Sequence, residues 1–144
     1  MLNPGVNCQQ ASRSKGVHLY FQGYRSYNIV EVRIELQEFV SMNEFQKLDL
    51  RVARIVTATR MPGAEKLLLL EVDLGTEKRT SVAAIAKYYS PEELVGKLVV
   101  FLANLQPAKI RGIESSGMLL AGLQDDVLAL MVPDKDVKPG TKVT

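Results

Sequence analysis

The sequence predicts an all-β protein, with a small barrel of five strands, one short helix between the third and fourth strands, and an N-terminal extension. Three features of residues 45–144 lead to this prediction. Short apolar segments recur, Gly and Pro turn signals separate them at close spacing, and a single strong helix start lies among them. A chain of 144 residues with 47% hydrophobic residues is long enough for one domain with a substantial core.

The first 44 residues form the predicted extension. Residues 1–28 are polar and rich in Gln, Ser, Asn and Gly, which predicts a flexible leader. Part of this leader, residues 19–23, resembles a protease site used in expression tags, so the leader is excluded from the fold prediction. Residues 29–40 alternate between apolar and polar side chains, which predicts a half-buried strand. A serine and a glutamate with the spacing of a capping box then predict a helical turn over Met42–Phe45.

The barrel strands are predicted from apolar segments at residues 49–60, 67–74, 78–86, 97–105, 118–123 and 127–132, the last two joined by a turn. The helix is predicted to begin at Ser90, because Pro91 and two glutamates follow it as helix starts require, and to end at Gly96. A five-stranded oligonucleotide-binding (OB) barrel has its helix at this point in the strand order. Residues 45–144 are therefore predicted to form an OB domain.

The charge of the chain is modest. The net charge is +2, and residues 1–44 carry four basic and four acidic side chains, so the surplus lies in the predicted barrel. This is not the strongly basic profile of a general nucleic-acid binder, and a nucleic-acid partner would have to be recognised by a local patch. One candidate patch is the stretch 94–113, which has no acidic residue and contains Lys97, Lys109 and Arg111. By itself this signal is weak, because such a stretch is more often an ordinary solvated face.

Enzyme and metalloprotein classes lack the residues they need. One cysteine, Cys8, and one histidine, His18, cannot form a zinc site without other ligands. No Gly-rich phosphate loop or nucleophile elbow is present. The acidic pairs at residues 92–93 and 125–126 are explained by a helix start and a turn. We therefore expect no catalysis, no cofactor and no metal.

The cellular setting is predicted from absences in the sequence. No apolar run approaches the roughly 20 residues that span a bilayer. No basic start followed by an apolar segment marks a signal peptide. A single cysteine also favours a reducing compartment. The sequence therefore predicts a cytoplasmic protein without membrane contact.

The segment 104–118, predicted as one long loop between two strands, concentrates side chains that suit contact with RNA. Lysine and arginine neutralise phosphates, serine and asparagine donate hydrogen bonds to phosphate and sugar oxygens, and methionine offers a soft apolar contact. The residues concerned are Asn104, Lys109, Arg111, Ser115, Ser116 and Met118. Each of them has a structural alternative in a turn or in the core, so both interpretations remain open at this point.

Several motifs resemble a known family. They are Phe45-x-Lys-Leu-Asp-Leu-Arg-Val52, Pro62-Gly-Ala-Glu-Lys-Leu67, Asn104-Leu-x-Pro-x-Lys-x-Arg-Gly112 and Ser115-x-Gly-Met-Leu-Leu-Ala121. Together they are similar to the tRNA-binding domain found at the end of many methionyl-tRNA synthetases and in stand-alone structure-specific tRNA-binding proteins. The resemblance covers about residues 39–144.

This resemblance implies an OB barrel that binds tRNA by its shape, without reading the anticodon, and that works as a homodimer or together with methionyl-tRNA synthetase. Carried over by position, the implied contacts are Lys66, Asn104, Lys109, Arg111, Ser115 and Met118, with Arg51 and Arg54 flanking them. Two departures from the family pattern stand out. Ala83, Ala84 and Ile85 replace a turn that commonly contains glycine, and Ser116 replaces a usual Glu or Gln.

Three functions are compared. The first is non-catalytic tRNA binding that assists aminoacylation, with the strand predicted at residues 29–40 as a candidate dimer interface. The second is a protein-binding module similar to the chaperone relatives of the family, for which the run Leu67-Leu-Leu-Leu70 leaves room. An enzyme is the least supported. The first function requires Lys109 and Arg111 to reach one surface.

Overall fold

The computed structural model of the chain describes residues 17–19, 32–34 and 38–144. The chain divides into two compact units, Met1–Ser41 and Met42–Thr144.

In the first unit, β1 (Val17–Leu19) pairs antiparallel with β2 (Val32–Ile34). Apart from β1, the leader predicted at residues 1–28 lies outside the described residues. β2 lies within the strand predicted at residues 29–40, most of which also falls outside the described residues.

The second unit consists of strands of two to twelve residues and two single-turn helices. In chain order these are α1 (Met42–Phe45), β3 (Leu50–Met61), β4 (Ala64–Asp73), β5 (Lys78–Ala83), α2 (Pro91–Leu94), β6 (Leu98–Leu102), β7 (Ala108–Ile110), β8 (Ile113–Ser115), β9 (Met118–Leu119), β10 (Ala121–Gln124) and β11 (Val127–Leu130). The first helix lies where the capping-box spacing predicted a helical turn. No helix in the described part of the chain is long and apolar enough to span a membrane.

One antiparallel sheet of five strands organises the second unit, in the order β5-β4-β3-β6-β9. Its inner face is apolar because alternate residues of each strand point to the same side. In β4, for example, Leu68, Leu70 and Val72 are fully buried, while the residues between them are half-buried. The run of four leucines is therefore a strand whose inward leucines belong to the core, each contributing about 1.5–3 kcal/mol by burial.

α2 lies between the third and fourth strands of this sheet, as predicted. A capping box closes its start, in which the Ser90 backbone N–H donates to the Glu93 carboxylate at 2.8 Å. This hydrogen bond, followed by a second one from the Ser90 hydroxyl, holds the pKa of Glu93 below its usual range. Leu94, fully buried, attaches the helix to the core. The predicted fold class and strand order are confirmed.

The sheet does not close into a continuous barrel. Its two edge strands, β5 and β9, share no ladder, and the segment before β9 bridges them instead. The Val82 N–H donates to Ser115 Oγ at 3.0 Å, the Ser116 N–H donates to Thr80 O at 2.9 Å, and Ser81 Oγ donates to Gly117 O at 3.3 Å. We call this line of contacts the seam.

The chain after β9 adds backbone hydrogen bonds to β6 and to the start of β3. β10 and β11 form the hairpin predicted there, and Met131 and Leu120 connect it to Val100 of β6 through backbone hydrogen bonds. The final residues return to the start of β3, where the Val52 N–H donates to Thr141 O and the Val143 N–H donates to Leu50 O, both at 2.8 Å.

Candidate nucleic-acid interface

The segment 104–118, predicted as one long loop, contains a β-hairpin, and the prediction is wrong in this respect. β7 pairs with β8 from Ala108–Ser115 to Ile110–Ile113. The turn between them consists of Arg111 and Gly112, with φ values of 49° and 80°. Two consecutive residues with positive φ are what a tight two-residue hairpin turn requires. An arginine at the first turn position hides this signal, because Asn, Asp or Gly usually stands there.

The hairpin has an outer and an inner face. Lys109 is paired with Glu114, and both side chains are exposed. The neighbouring pair, Ile110 and Ile113, is half-buried, so it lies on the opposite face, towards the sheet. Lys109 therefore points to solvent beside a carboxylate, which offsets part of its charge.

Arg111 reaches across to another turn. Its Nη1 atom lies 3.8 Å from the position that a Cβ would occupy on Gly63, so the guanidinium group covers the turn between β3 and β4. Arg111 is exposed. Hence Arg111 and Lys109 leave the hairpin in different ways, Arg111 over the β3–β4 turn and Lys109 on the outer face.

Lys66 lies in an irregular part of β4 next to that turn. β3 and β4 are in register at Arg60–Leu68 and again at Met61–Ala64, which leaves residues 65–67 of β4 without partners in β3. Lys66 is the middle residue of this bulge and is exposed. Its carbonyl accepts a hydrogen bond from the Ala86 N–H at 3.2 Å, which brings the segment 84–88 alongside.

Two cations that the sequence prediction missed lie beside Lys66. Arg60 and Lys87 line the same open depression of about 610 Å³. We call Arg60, Lys66, Lys87 and Arg111 the turn cluster. Arg60 and Lys87 belong to no motif. They meet because the β3–β4 pairing brings Arg60 near Lys66, and because the chain after β5 continues along β4, where the Ala86 N–H donates to Lys66 O.

Met118 borders an apolar groove that adjoins the turn cluster through the segment 84–88. Its side chain is 44% exposed. The groove, of about 370 Å³, is lined by residues 81–85, 118–121, Leu128 and Leu130. We call it the Met118 groove. The Cβ atoms of Ala83 and Ala84, present here in place of the family's glycine-containing turn, form part of its wall.

Three of the expected contact residues are used by the fold itself. Ser115 is 7% exposed and its hydroxyl accepts the Val82 N–H. Ser116 hydrogen-bonds Thr80 O through its backbone and, at 3.4 Å, through its hydroxyl. Asn104 ties down the chain before β3, since its amide accepts from the Asp49 N–H at 2.8 Å and donates to Lys47 O at 2.6 Å.

Arg51 and Arg54 lie away from the turn cluster, near the other end of β3. A fully extended strand covers about 30 Å between Arg51 and Arg60. Arg51 makes two hydrogen bonds to Asp49, at 2.9 and 2.7 Å. This pairing lowers the pKa of Asp49 and raises that of Arg51. Arg54 donates to Gly96 O at 3.1 Å. The structure therefore does not bring these two arginines together with Lys66 and Arg111.

No group of three or more His, Cys, Asp or Glu side chains within the described ranges could hold a metal ion. The surface combines cations around the β3–β4 turn, an apolar groove, and a hairpin. The hairpin tip reaches the cations through Arg111, and its base joins β5 at the seam. Cations and an apolar platform next to each other suit a folded polyanion with exposed bases or riboses.

Comparison with known proteins identifies the family. The sequence profile described as “Putative tRNA binding domain” matches residues 50–142. The chain belongs to this tRNA-binding domain family. The resemblance inferred from the motifs is thus confirmed.

The tRNA-binding domain is similar to part of a much longer enzyme. It is 51% identical over 116 residues to the methionine–tRNA ligase of Thermotoga maritima, an alignment that covers 81% of this chain and 18% of the ligase. The chain therefore spans less than a fifth of the length of this relative.

Two solved structures share the fold of the tRNA-binding domain. One is a MetRS related protein from Pyrococcus horikoshii, with a TM-score of 0.71 and 37% identity, covering 75% of this chain and all of that one. The other is the chaperone CsaA from Bacillus anthracis, with a TM-score of 0.67 and 29% identity, covering 74% of this chain and all of that one.

Proposed function

We propose that this chain is a non-catalytic tRNA-binding protein that recognises folded tRNA by shape and charge. The observation that carries the proposal is that Arg111 and Lys66 lie at one turn, and that Met118 is exposed on an apolar groove, in a member of the tRNA-binding domain family. A protein that binds through phosphates and an unstacked base or ribose needs this combination of cations and apolar surface.

The expected contact residues divide into two roles. Lys66, Lys109 and Arg111 contact phosphates, and Met118 supports a base or ribose. Asn104, Ser115 and Ser116 act as positioning residues, because their polar atoms hydrogen-bond the protein backbone. Arg51 and Arg54 contribute long-range attraction only, since they lie away from the turn cluster.

We propose that the partner in the cytoplasm is methionyl-tRNA synthetase, either in the same polypeptide or as a separate chain. The similarity to a methionine–tRNA ligase and to a MetRS related protein supports this. A tethered second site for tRNA raises the effective concentration of the substrate at the synthetase without new catalytic groups. A homodimer would present two such sites.

A gel mobility-shift titration with total tRNA at several salt concentrations tests tRNA binding. We expect binding that weakens steeply with salt, because phosphate contacts release counterions. The double variant Lys109→Ala with Arg111→Ala is expected to reduce the slope of log affinity against log salt by about 2, roughly one unit for each lost contact. Duplex RNA is included as a competitor that lacks the folded shape.

The matched control is Lys138→Ala, which removes an exposed cation from the C-terminal segment, away from the β3–β4 turn. Its slope should stay close to that of the unchanged protein. A double variant with the same slope and affinity as the control would contradict the assignment of the hairpin, and an unchanged protein that ignores tRNA would contradict the proposed function.

A protein-binding, chaperone-like function is the second candidate, and the Met118 groove favours it. The groove is lined mainly by apolar side chains, and the fold is shared with the chaperone CsaA. Such a module would bind unfolded chains with little dependence on salt. Suppression of the aggregation of a denatured test enzyme, measured by light scattering with and without excess tRNA, separates the two functions.

A further inference from the structure

The turn cluster is a group of cations with few anionic partners. Three cations line the depression with one carboxylate, Glu65, and within the described residues neither Arg60 nor Lys66 forms an ion pair with it. Cations around one depression repel one another, and an anion bound between them would reduce this repulsion. The surplus of positive charge around the depression therefore makes it a place for an anionic ligand.

The third cation of the depression has a weak partner. Lys87 Nζ lies 3.5 Å from Asp126 Oδ1, and the two side chains are 67% and 93% exposed. An ion pair in such open surroundings contributes little and is easily exchanged. Asp126 belongs to the turn of the β10–β11 hairpin, so the hairpin tip places one carboxylate at the edge of the depression.

From this arrangement we infer that Arg60 and Lys87 join Lys66 and Arg111 in one site for RNA backbone phosphates, and that Asp126 competes with RNA for Lys87. This inference rests on the proposed function and deepens it. Arginine offers a planar fork of donors that matches phosphate oxygens, and lysine adds a compact charge. Because the depression is open to solvent, it can accept a phosphate that is part of an RNA backbone, with the RNA chain entering and leaving along the protein surface.

The first test removes the two cations that no motif indicates. In the double variant Arg60→Gln with Lys87→Gln, tRNA affinity at about 0.15 M salt should fall at least tenfold and the salt slope should decrease by about 2. The control Lys138→Gln should change affinity by less than twofold. Wild-type affinity and slope in the double variant would overturn the inference and leave the proposed function standing.

The second test expects a gain, which no loss of folding can imitate. Asp126→Asn frees Lys87 from its competitor and should tighten tRNA binding by about two- to fivefold, the range expected for an exposed ion pair. Asp134→Asn removes an exposed acid that lines a different depression, beside Arg54, and should have a smaller effect. An Asp126 variant that binds no better than the Asp134 variant would refute the competition.

A third measurement uses pyrophosphate as the probe and needs no tRNA. In two-dimensional amide NMR spectra, the signals of residues 60, 66, 87 and 111 should shift with pyrophosphate, and the Arg60→Gln, Lys87→Gln variant should lose these shifts. Shifts scattered over all lysines, or none, would overturn the anion site. Localised shifts in a protein that ignores tRNA would support the anion site while the proposed function fails.

Discussion

At the scale of single residues, the sequence motif identified positions but not their roles. Ser115 and Asn104 belong to the motif, yet their polar atoms bind the protein's own backbone. Residue type cannot separate the two roles, because a serine that binds phosphate and a serine that binds a neighbouring strand are the same in sequence. Burial separates them, and burial depends on the fold.

Replacing Ser115 by Ala is expected to affect stability and not recognition. The Val82 N–H would lose its acceptor in a partly buried place, which costs about 1–3 kcal/mol of the free energy of unfolding. Urea unfolding measures this loss, and a tRNA titration well below the unfolding midpoint should give an affinity within twofold of the original.

Ser116→Ala is the matched control, because that hydroxyl makes only a 3.4 Å contact at the surface. Its free energy of unfolding should change by less than about 0.5 kcal/mol. A Ser115 variant with full stability and a tenfold weaker affinity would show that this hydroxyl contacts RNA.

Arg60 and Lys87 show what residue-level prediction could not reach. Lys66 and Arg111 were found through their motif, and the structure places both at the β3–β4 turn. Arg60 comes near them through the β3–β4 pairing, and Lys87 through the chain that continues from β5 along β4; no local sequence pattern indicates either approach. The proposed site becomes visible only once the strand register is known.

At the scale of elements, the strands of the sheet were predictable because they carry the core. Alternation in β3 and continuous apolar residues in β6 follow directly from burial on one or both faces. The β7–β8 hairpin was missed because its strands have three residues each and its turn begins with an arginine. Strands of three residues are too short to show the alternation of apolar and polar side chains from which a strand is predicted.

Two glycines, one in the turn of this hairpin and one just after its second strand, should respond differently to alanine. Gly117 has a φ of 120°, and a Cβ there would collide with the ring of Phe101 and lie 2.7 Å from Leu102 O. Gly112 has a φ of 80° and open space around it. We expect Gly117→Ala to destabilise the protein by about 3 kcal/mol or more, and Gly112→Ala by about 1–2 kcal/mol from backbone strain alone.

Urea unfolding followed by circular dichroism measures both changes. Because Phe101 is fully buried, only the Gly117 variant should also alter the near-ultraviolet signal of the core. Equal losses in the two variants would mean that Phe101 can move aside and that the base of the hairpin is not held by this contact.

At the scale of the whole molecule, the proposed homodimer requires an apolar surface for a second copy. Met42, Phe45 and Leu48 are 68%, 38% and 42% exposed at the start of the second unit. Apolar side chains of this size gain about 1.5–3 kcal/mol each when they are fully covered. We propose that they belong to the dimer interface, together with the extension at residues 29–44.

Sedimentation equilibrium should give twice the chain mass of 16.0 kDa. The double variant Met42→Ser with Phe45→Ser should raise the dissociation constant of the dimer at least tenfold. Val95→Ser, which changes an exposed apolar residue next to the end of α2, should leave the constant unchanged. A chain that sediments as a monomer at all concentrations would exclude the dimer.

The seam between β5 and β9 has a consequence for how the domain can change over time. Ladders join the five strands in the order β5-β4-β3-β6-β9, while the two edge strands meet across the seam only through hydroxyls and single backbone contacts. Residues inserted or lost within the β7–β8 hairpin would alter only the seam, since no ladder of the other strands passes through it. Natural selection can therefore redesign the recognition surface while the frame that carries it keeps its register.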